Sequence, residues 1–170
     1  ASLGKAIVAA GSTDGGGNTN WAFTAVGTVY WTGTGTDNKW SNPDNWSVVA
    51  VPGSSDDVVF NSGSTKDCAI DIAANVKSLT LNTGYTGTIT LGASLTTVNN
   101  LAINQGSINA ITFAVSVGGN FSASGAVTRA VSMGSGSWSV GGNWDTTGSN
   151  LTLTPSTAGL TMSGNALTMD

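Results

Sequence analysis

The sequence predicts an all-β chain wound as a single-stranded parallel β-helix of about five coils, entered through a Trp-rich N-terminal cap. Three observations carry that reading. First, the polar helix formers are nearly missing: the 170 residues include no Glu, a single Gln (Gln105) and only 8% charged residues, against roughly 25% in an average soluble domain. Thr (24), Ser (21), Asn (16) and Gly (24) replace them, and such residues disfavour helix. Second, the chain beyond residue 57 reads as short alternating apolar runs broken by Gly, Ser or Asn, the pattern of strands and turns. Third, that pattern repeats.

The repeat is visible as one column: Val76-Lys-Ser-Leu79, Val98-Asn-Asn-Leu101, Val117-Gly-Gly-Asn-Phe121, Val140-Gly-Gly-Asn-Trp144 and Met162-Ser-Gly-Asn165, spaced by 22, 19, 23 and 22 residues. A period near 20 that drifts by a few residues fits a solenoid with fixed rungs and variable loops. Within a coil, Phe113, Val115 and Val117 alternate with Ala114 and Ser116, so one face of that strand is apolar. The Gly-Gly-Asn that follows is expected to supply positive-φ residues for a sharp corner. A further apolar strand per coil is predicted from Ile89/Leu91, Ile108/Ile111, Val127/Val131 and Leu151/Leu153. Stacked coils then place Val76, Val98, Val117, Val140 and Met162 in one internal ladder, along an axis of roughly 25 Å. A β-sandwich is the rival architecture; recurrent one-sided corners favour the solenoid.

A soft boundary at Pro52-Gly-Ser-Ser-Asp56 divides residues 1–56, a cap or docking segment, from the solenoid repeats at 57–170. Four of the six Trp fall in the first 46 residues. The segments Tyr30-Trp31-Thr-Gly, Lys39-Trp40-Ser-Asn-Pro-Asp-Asn-Trp46 and Val51-Pro-Gly-Ser-Ser-Asp-Asp-Val-Val-Phe60, followed by Leu-Thr-Leu and Val-Gly-Gly-Asn coils, resemble β-helical surface and virion structural proteins of bacteria and phages. Autotransporter-like adhesins and large phage structural proteins contain such modules. Thr13-Asp-Gly-Gly-Gly-Asn-Thr-Asn-Trp21 is similar to segments of phage virion proteins. The resemblance spans nearly the whole chain and implies an extracellular, cell-surface or virion structural role. It carries over no catalytic residue.

Candidate binding residues centre on the Trp cluster. Trp31, Trp40 and Trp46 beside Asn42, Asp44 and Asn45 form a candidate sugar platform, because flat rings bury sugar C–H faces while amides take hydroxyls. A plug over the open solenoid end is the simpler role for the same residues. The Asp14–Asn20 run offers oxygen ligands that calcium tolerates, but lacks the EF-hand Glu and reads more simply as a turn. No metal or cofactor is expected. Asp67 and Asp71, four apart and on one face if that segment is extended, are a carboxylate pair that glycoside cleavage could use, and solvated surface charge is the default for both. Asp56-Asp57 reads as a turn entering a strand, with negative charge guarding an edge. Cys68 reads as a small core residue.

Exclusions are sharper than assignments. With no His, neither a Ser-His-Asp nor a Cys-His site exists. A net charge of −4 with five scattered cations leaves no basic patch for nucleic acid. No apolar run approaches the ~18 residues of a membrane span. The expected protein is a non-enzymatic building block of a virion, as capsid decoration or tail component, or of a surface filament. The alternative is a bacterial adhesin fragment that binds glycans, and a polysaccharide-degrading enzyme comes third. Its expected partners are copies of itself, a trimer being one possibility, and other virion or surface proteins. The repeat is still in phase at Met162-Ser-Gly-Asn165, with Leu167 and Met169 following and no charged or Pro-rich cap. Covering by neighbouring copies, or by further coils of a longer parent chain, would account for that end.

Overall fold

The computed structural model describes residues 7–10, 21–24, 27–164 and 166–169. Two short strands, β1 (Ile7–Ala10) and β2 (Trp21–Thr24), pair in parallel with each other. After β3 (Thr28–Tyr30) the described chain is a stack of coils, each of three strands. The first coil holds β4 (Asp57–Phe60), β5 (Cys68–Ile70) and β6 (Ala74–Val76). The second holds β7 (Ser78–Leu81), β8 (Thr88–Leu91) and β9 (Leu95–Thr97). The third holds β10 (Leu101–Ile103), β11 (Gly106–Asn109) and β12 (Val115–Val117). The fourth holds β13 (Phe121–Ser122), β14 (Arg129–Ser132) and β15 (Ser137–Val140). The fifth holds β16 (Trp144–Thr146), β17 (Leu151–Thr154) and β18 (Gly159–Met162), and β19 (Leu167–Met169) begins one more rung.

Equivalent strands pair in parallel, giving three sheets ordered β3-β4-β7-β10-β13-β16-β19, β5-β8-β11-β14-β17 and β6-β9-β12-β15-β18. This is the predicted parallel β-solenoid of about five coils. Five spacings of ~4.8 Å make a stack of ~24 Å.

The core is a set of ladders running along the axis. Val58, Leu79, Leu101, Phe121 and Trp144 lie in register in the first sheet and are all buried. Phe121 and Trp144 stack at 4.1 Å between ring centroids. Alternation inward and outward along each strand explains the pattern, as in Val115-Ser116-Val117, where only the outer Ser116 is half-buried. Phe113, expected on the same inner face, is partly buried against this core.

Several expected inward residues point elsewhere. The ladder in the third sheet runs Val76, Thr97, Val117, Val140 and Met162, so Thr97 stands where Val98 was expected. Thr97 is 1% exposed and Val98 53%. The corner from Thr97 to Leu101 has the same length as that from Val117 to Phe121, and strand parity then turns Val98 outward. Ile111 leaves the core because it occupies a left-handed turn position (φ 52°) and is exposed. Val127 is exposed too, and Arg129 takes its inward place.

The corners differ from expectation in mechanism as well. Among the described residues Gly118 and Gly141 do not have positive φ. Their need for glycine is steric: a Cβ at Gly118 would strike the Val98 carbonyl, and one at Gly141 the Gly118 carbonyl. The Asn after them has its own role. Asn100 Oδ1 accepts from the Asn120 amide at 2.8 Å, Asn120 Oδ1 from the Asn143 amide at 2.8 Å, and Asn143 Oδ1 from the Ala166 amide at 3.2 Å. This side-chain ladder joins four successive corners and satisfies amides that a corner would otherwise leave unpaired.

The corrected register makes a paired prediction. Val117→Asp places an unpaired charge in a dry interior and is expected to cost several kcal/mol. Val98→Asp is expected to stay within about 0.5 kcal/mol, the ordinary surface range. Urea titration of both variants measures the contrast, and equal costs would contradict the register.

Candidate functional site

The Trp-rich segment forms an extra, irregular rung at the head of the stack. Its β3 pairs with β4, and Lys39 bridges Ala69 of β5 in parallel. The Trp40 amide donates to the Ala69 carbonyl and the Ala69 amide to the Asn38 carbonyl, both at 2.8 Å. Trp31 and Trp46 form a short antiparallel bridge. A 3-10 turn, Pro43–Asn45, closes the loop, with Asn42 capping it by accepting the Asp44 amide at 3.1 Å.

These constraints gather the three Trp rings over Phe60 of the first coil. Trp46 meets Trp31 and Trp40 edge-on at 5.0 and 4.6 Å, and Trp31 stacks on Phe60 at 5.5 Å. Trp31 Nε1 donates to the Lys66 carbonyl at 3.1 Å, and Trp46 Nε1 to the Trp40 carbonyl at 2.9 Å. All three rings are at most 1% exposed. A sugar needs an open ring face, and none of the three has one. The platform expected of Trp31, Trp40 and Trp46 is therefore built inward, as a plug.

The polar candidates hold that plug in shape. Asp37, which sequence reasoning passed over, is the hub: its Oδ1 accepts from the Lys39 amide and from the side chains of Asn42 and Asn45, at 3.0 to 3.2 Å. Those bonds, Asn42's first, hold its carboxyl below the ordinary aspartate value. Asn45 is buried, receives the Gly35 amide at 2.9 Å and donates to the Lys39 carbonyl at 3.0 Å. Asp44 is exposed, and its carbonyl accepts from the Thr34 hydroxyl at 2.7 Å.

Asp67 and Asp71 do not face one another across a cleft. Asp71 accepts from the Ser41 amide and hydroxyl at 3.0 and 2.6 Å, pinning the Trp loop to the first coil. Asp67 accepts the Thr88 amide at 2.8 Å. Cys68 is buried, and burial, followed by the nearby Asp71 and Asp67 charges, pushes its thiol well above the ordinary range. That setting makes it an inert core residue. The Asp14–Asn20 run lies outside the described residues. Among the described residues no three His, Cys, Asp or Glu side chains gather where a metal ion could sit.

Two clefts remain. One, of about 180 Å³, runs along the second sheet and is lined by Thr86, Gln105, Ser107, Thr128 and Thr152 among others. The other, also about 180 Å³, is apolar and opens at the far end beside Trp144, Leu153, Leu160, Leu167 and Met169. No carboxylate lines either.

One functional-looking residue that the sequence reading did not single out is Arg129. Its guanidinium is 1% exposed and donates only to carbonyls: Ala123 at 2.6 Å, Gly125 at 3.1 Å, Val127 at 2.9 Å, Ser149 at 3.0 Å and Thr147 at 3.0 Å. It ties together the turns of two consecutive coils. The planar five-donor fork is what such a cage requires. No spacing in the sequence could reveal it, because the acceptors are backbone atoms.

Comparison with protein-family models, with curated proteins and with solved structures finds no match to the chain.

Two outcomes test this account. Trp40→Ala is expected to cost about 3–5 kcal/mol, the range for emptying a packed aromatic site; a shift within 0.5 kcal/mol, the surface range, would contradict the plug. The second concerns pH. Lys77 and Ser78 hold the Asp57 carboxyl below its ordinary value, and the Thr147 amide and hydroxyl do so for Asp145. A depressed folded-state value stabilises fully above the unfolded aspartate range and is lost as pH falls through the folded value. The chain has no His or Glu, so the melting temperature is expected to stay flat from about pH 5 to 8 and to drop below about pH 4. Calorimetry across that range reads it directly.

Proposed function

We propose that the chain is a non-enzymatic structural building block, a capsid decoration or tail component of a virion or an element of a surface filament, that works as repeated copies. The carrying observation is the coil-on-coil stack itself: the strands of five coils pair in parallel in three sheets along one axis.

The body suits a mechanical role. Hydrogen bonds between coils run along the axis, supplemented by the Asn100–Asn120–Asn143 ladder. Charges crowd the head, at Asp37 to Lys77, whereas from Ser78 to Met169 only the buried Arg129 and Asp145 are charged. A surface so short of charge does little to keep copies apart. The resemblance to surface and virion proteins points the same way.

A glycan-binding adhesin is the second reading. It is favoured by the cleft lined by Thr86, Gln105, Ser107, Thr128 and Thr152, whose hydroxyls and amide suit a saccharide; Arg129 also borders it, with its guanidinium held by backbone carbonyls.

Sedimentation of the purified chain at micromolar concentration tests the first reading. Assemblies larger than a monomer, which dissociate on dilution, are expected; a monomer at every concentration would overturn it. Binding of neutral polysaccharides by the monomer, lost on Gln105→Ala, would favour the second.

A further inference from the structure

The outer face of the second sheet carries polar groups that the fold leaves unengaged. Between β8 and β17 one outward column runs Thr88, Ser107, Ala130 and Thr152 in register. Two residues before the first three stand Thr86, Gln105 and Thr128, on the same side of an extended chain. The cleft of about 180 Å³ lies along these two columns. Its lining passes from Thr86 in the second coil through Ser107 and Ala130 to Thr152 in the fifth. It therefore crosses four successive coils, three strand spacings or ~14 Å.

The hydroxyls of Thr86, Ser107, Thr128 and Thr152 have no partner among the described residues, whereas Ser41, Asn42 and Asn45 at the head are all engaged. Gln105 Oε1 accepts the Gly84 amide at 2.7 Å, which fixes that side chain and leaves its Nε2 to donate. No outward position from β8 to β17 is charged: Arg129 gives its guanidinium to backbone carbonyls, and Asp145 belongs to the first sheet. β8, β11 and β14 have strands on both sides, so no edge there is open to a peptide strand.

These features select a ligand. Hydroxyls and an amide both donate and accept, which complements an uncharged, hydroxylated molecule; a phosphate or carboxylate would meet no free cation. The volume is below the roughly 300–1,000 Å³ that encloses a whole small molecule, so the groove takes one edge of something longer. Its polar groups recur once per coil, and a pyranose unit of an extended glycan advances by nearly one coil spacing. Successive sugars then meet equivalent side chains.

We propose that this groove binds an uncharged linear polysaccharide lying along the solenoid axis, one sugar unit per coil from the second coil to the fifth. This rests on the glycan-binding reading above and specifies the class and direction of its ligand. No aromatic ring lines the groove, so each unit contributes little and affinity comes from repetition.

Affinity electrophoresis of the whole chain through gels containing hydroxyethyl cellulose, laminarin, galactomannan or dextran tests it, with alginate as the charged counterpart. At least one neutral polymer is expected to retard the chain, and alginate is not. Thr86→Arg and Thr152→Arg stand three coil spacings apart, too far for one sugar to touch both. Each is expected to raise the Kd read from retardation about tenfold, the worth of one or two polar contacts. Thr128→Arg is the replicate, and circular dichroism melting verifies that these variants stay folded. Ser116→Arg, on the outer face of the third sheet, is expected to leave binding unchanged. Binding lost on Gln105→Ala yet unaltered by both Thr86→Arg and Thr152→Arg would overturn the axial chain while the glycan reading survives. Retardation by alginate alone would overturn the uncharged class. Passage of the chain unretarded through all four neutral polymers would overturn both the contact and the glycan reading.

Discussion

Stacking in register at ~4.8 Å is the constraint on which the rest of this structure depends. Each residue of a coil stands over its equivalent one turn earlier, so a side chain is tolerated only if the same place in the neighbouring coils accepts it. Gly118 beneath Gly141 shows the severe form, since neither corner has room for a Cβ above the preceding carbonyl. Phe121 beneath Trp144 shows the favourable form, two large rings stacked at 4.1 Å where a mismatched pair would leave a void. The Asn ladder shows the polar form: a corner amide without a strand partner is satisfied by the side chain one coil back.

The same constraint makes the ends of the stack special. At the head the chain stops repeating and folds an irregular rung, in which Trp31, Trp40 and Trp46 cover Phe60 and the first coil. Asp37, Asn42, Asn45 and Asp71 spend their hydrogen-bonding capacity on holding that rung in place. Residues that look like a binding site in sequence are therefore the internal scaffold of a lid. Leu160, Leu167 and Met169, on the last described rungs, are exposed.

Arg129 shows how the stack absorbs an exception. A charged residue occupies an inward position of β14 in register with Leu151, which would be costly without compensation. The turns of the fourth and fifth coils supply it by directing five carbonyls at the guanidinium. The charge is thereby converted into a clamp between coils.

Much of the fold was legible in the residues because a solenoid writes its period into the chain. Composition excluded helix, the Val-Gly-Gly-Asn recurrence marked the corners, and the alternation around Val115 and Val117 marked the inner face. The register at Val98, Ile111 and Val127 was not legible, because one residue more or less in a corner reverses strand parity, and apolar character alone does not count corner residues. Nor was the fate of the Trp cluster: the same three rings make a platform or a plug depending on whether Pro43 and the Asp37 hub turn them outward or onto Phe60. Sequence alone determined that the chain coils, with what period and with what kinds of residue at its corners, since those follow from local propensity and repetition. Only the tertiary structure decided which residues face inward, since that depends on what lies one coil away in space and about twenty residues away in the chain.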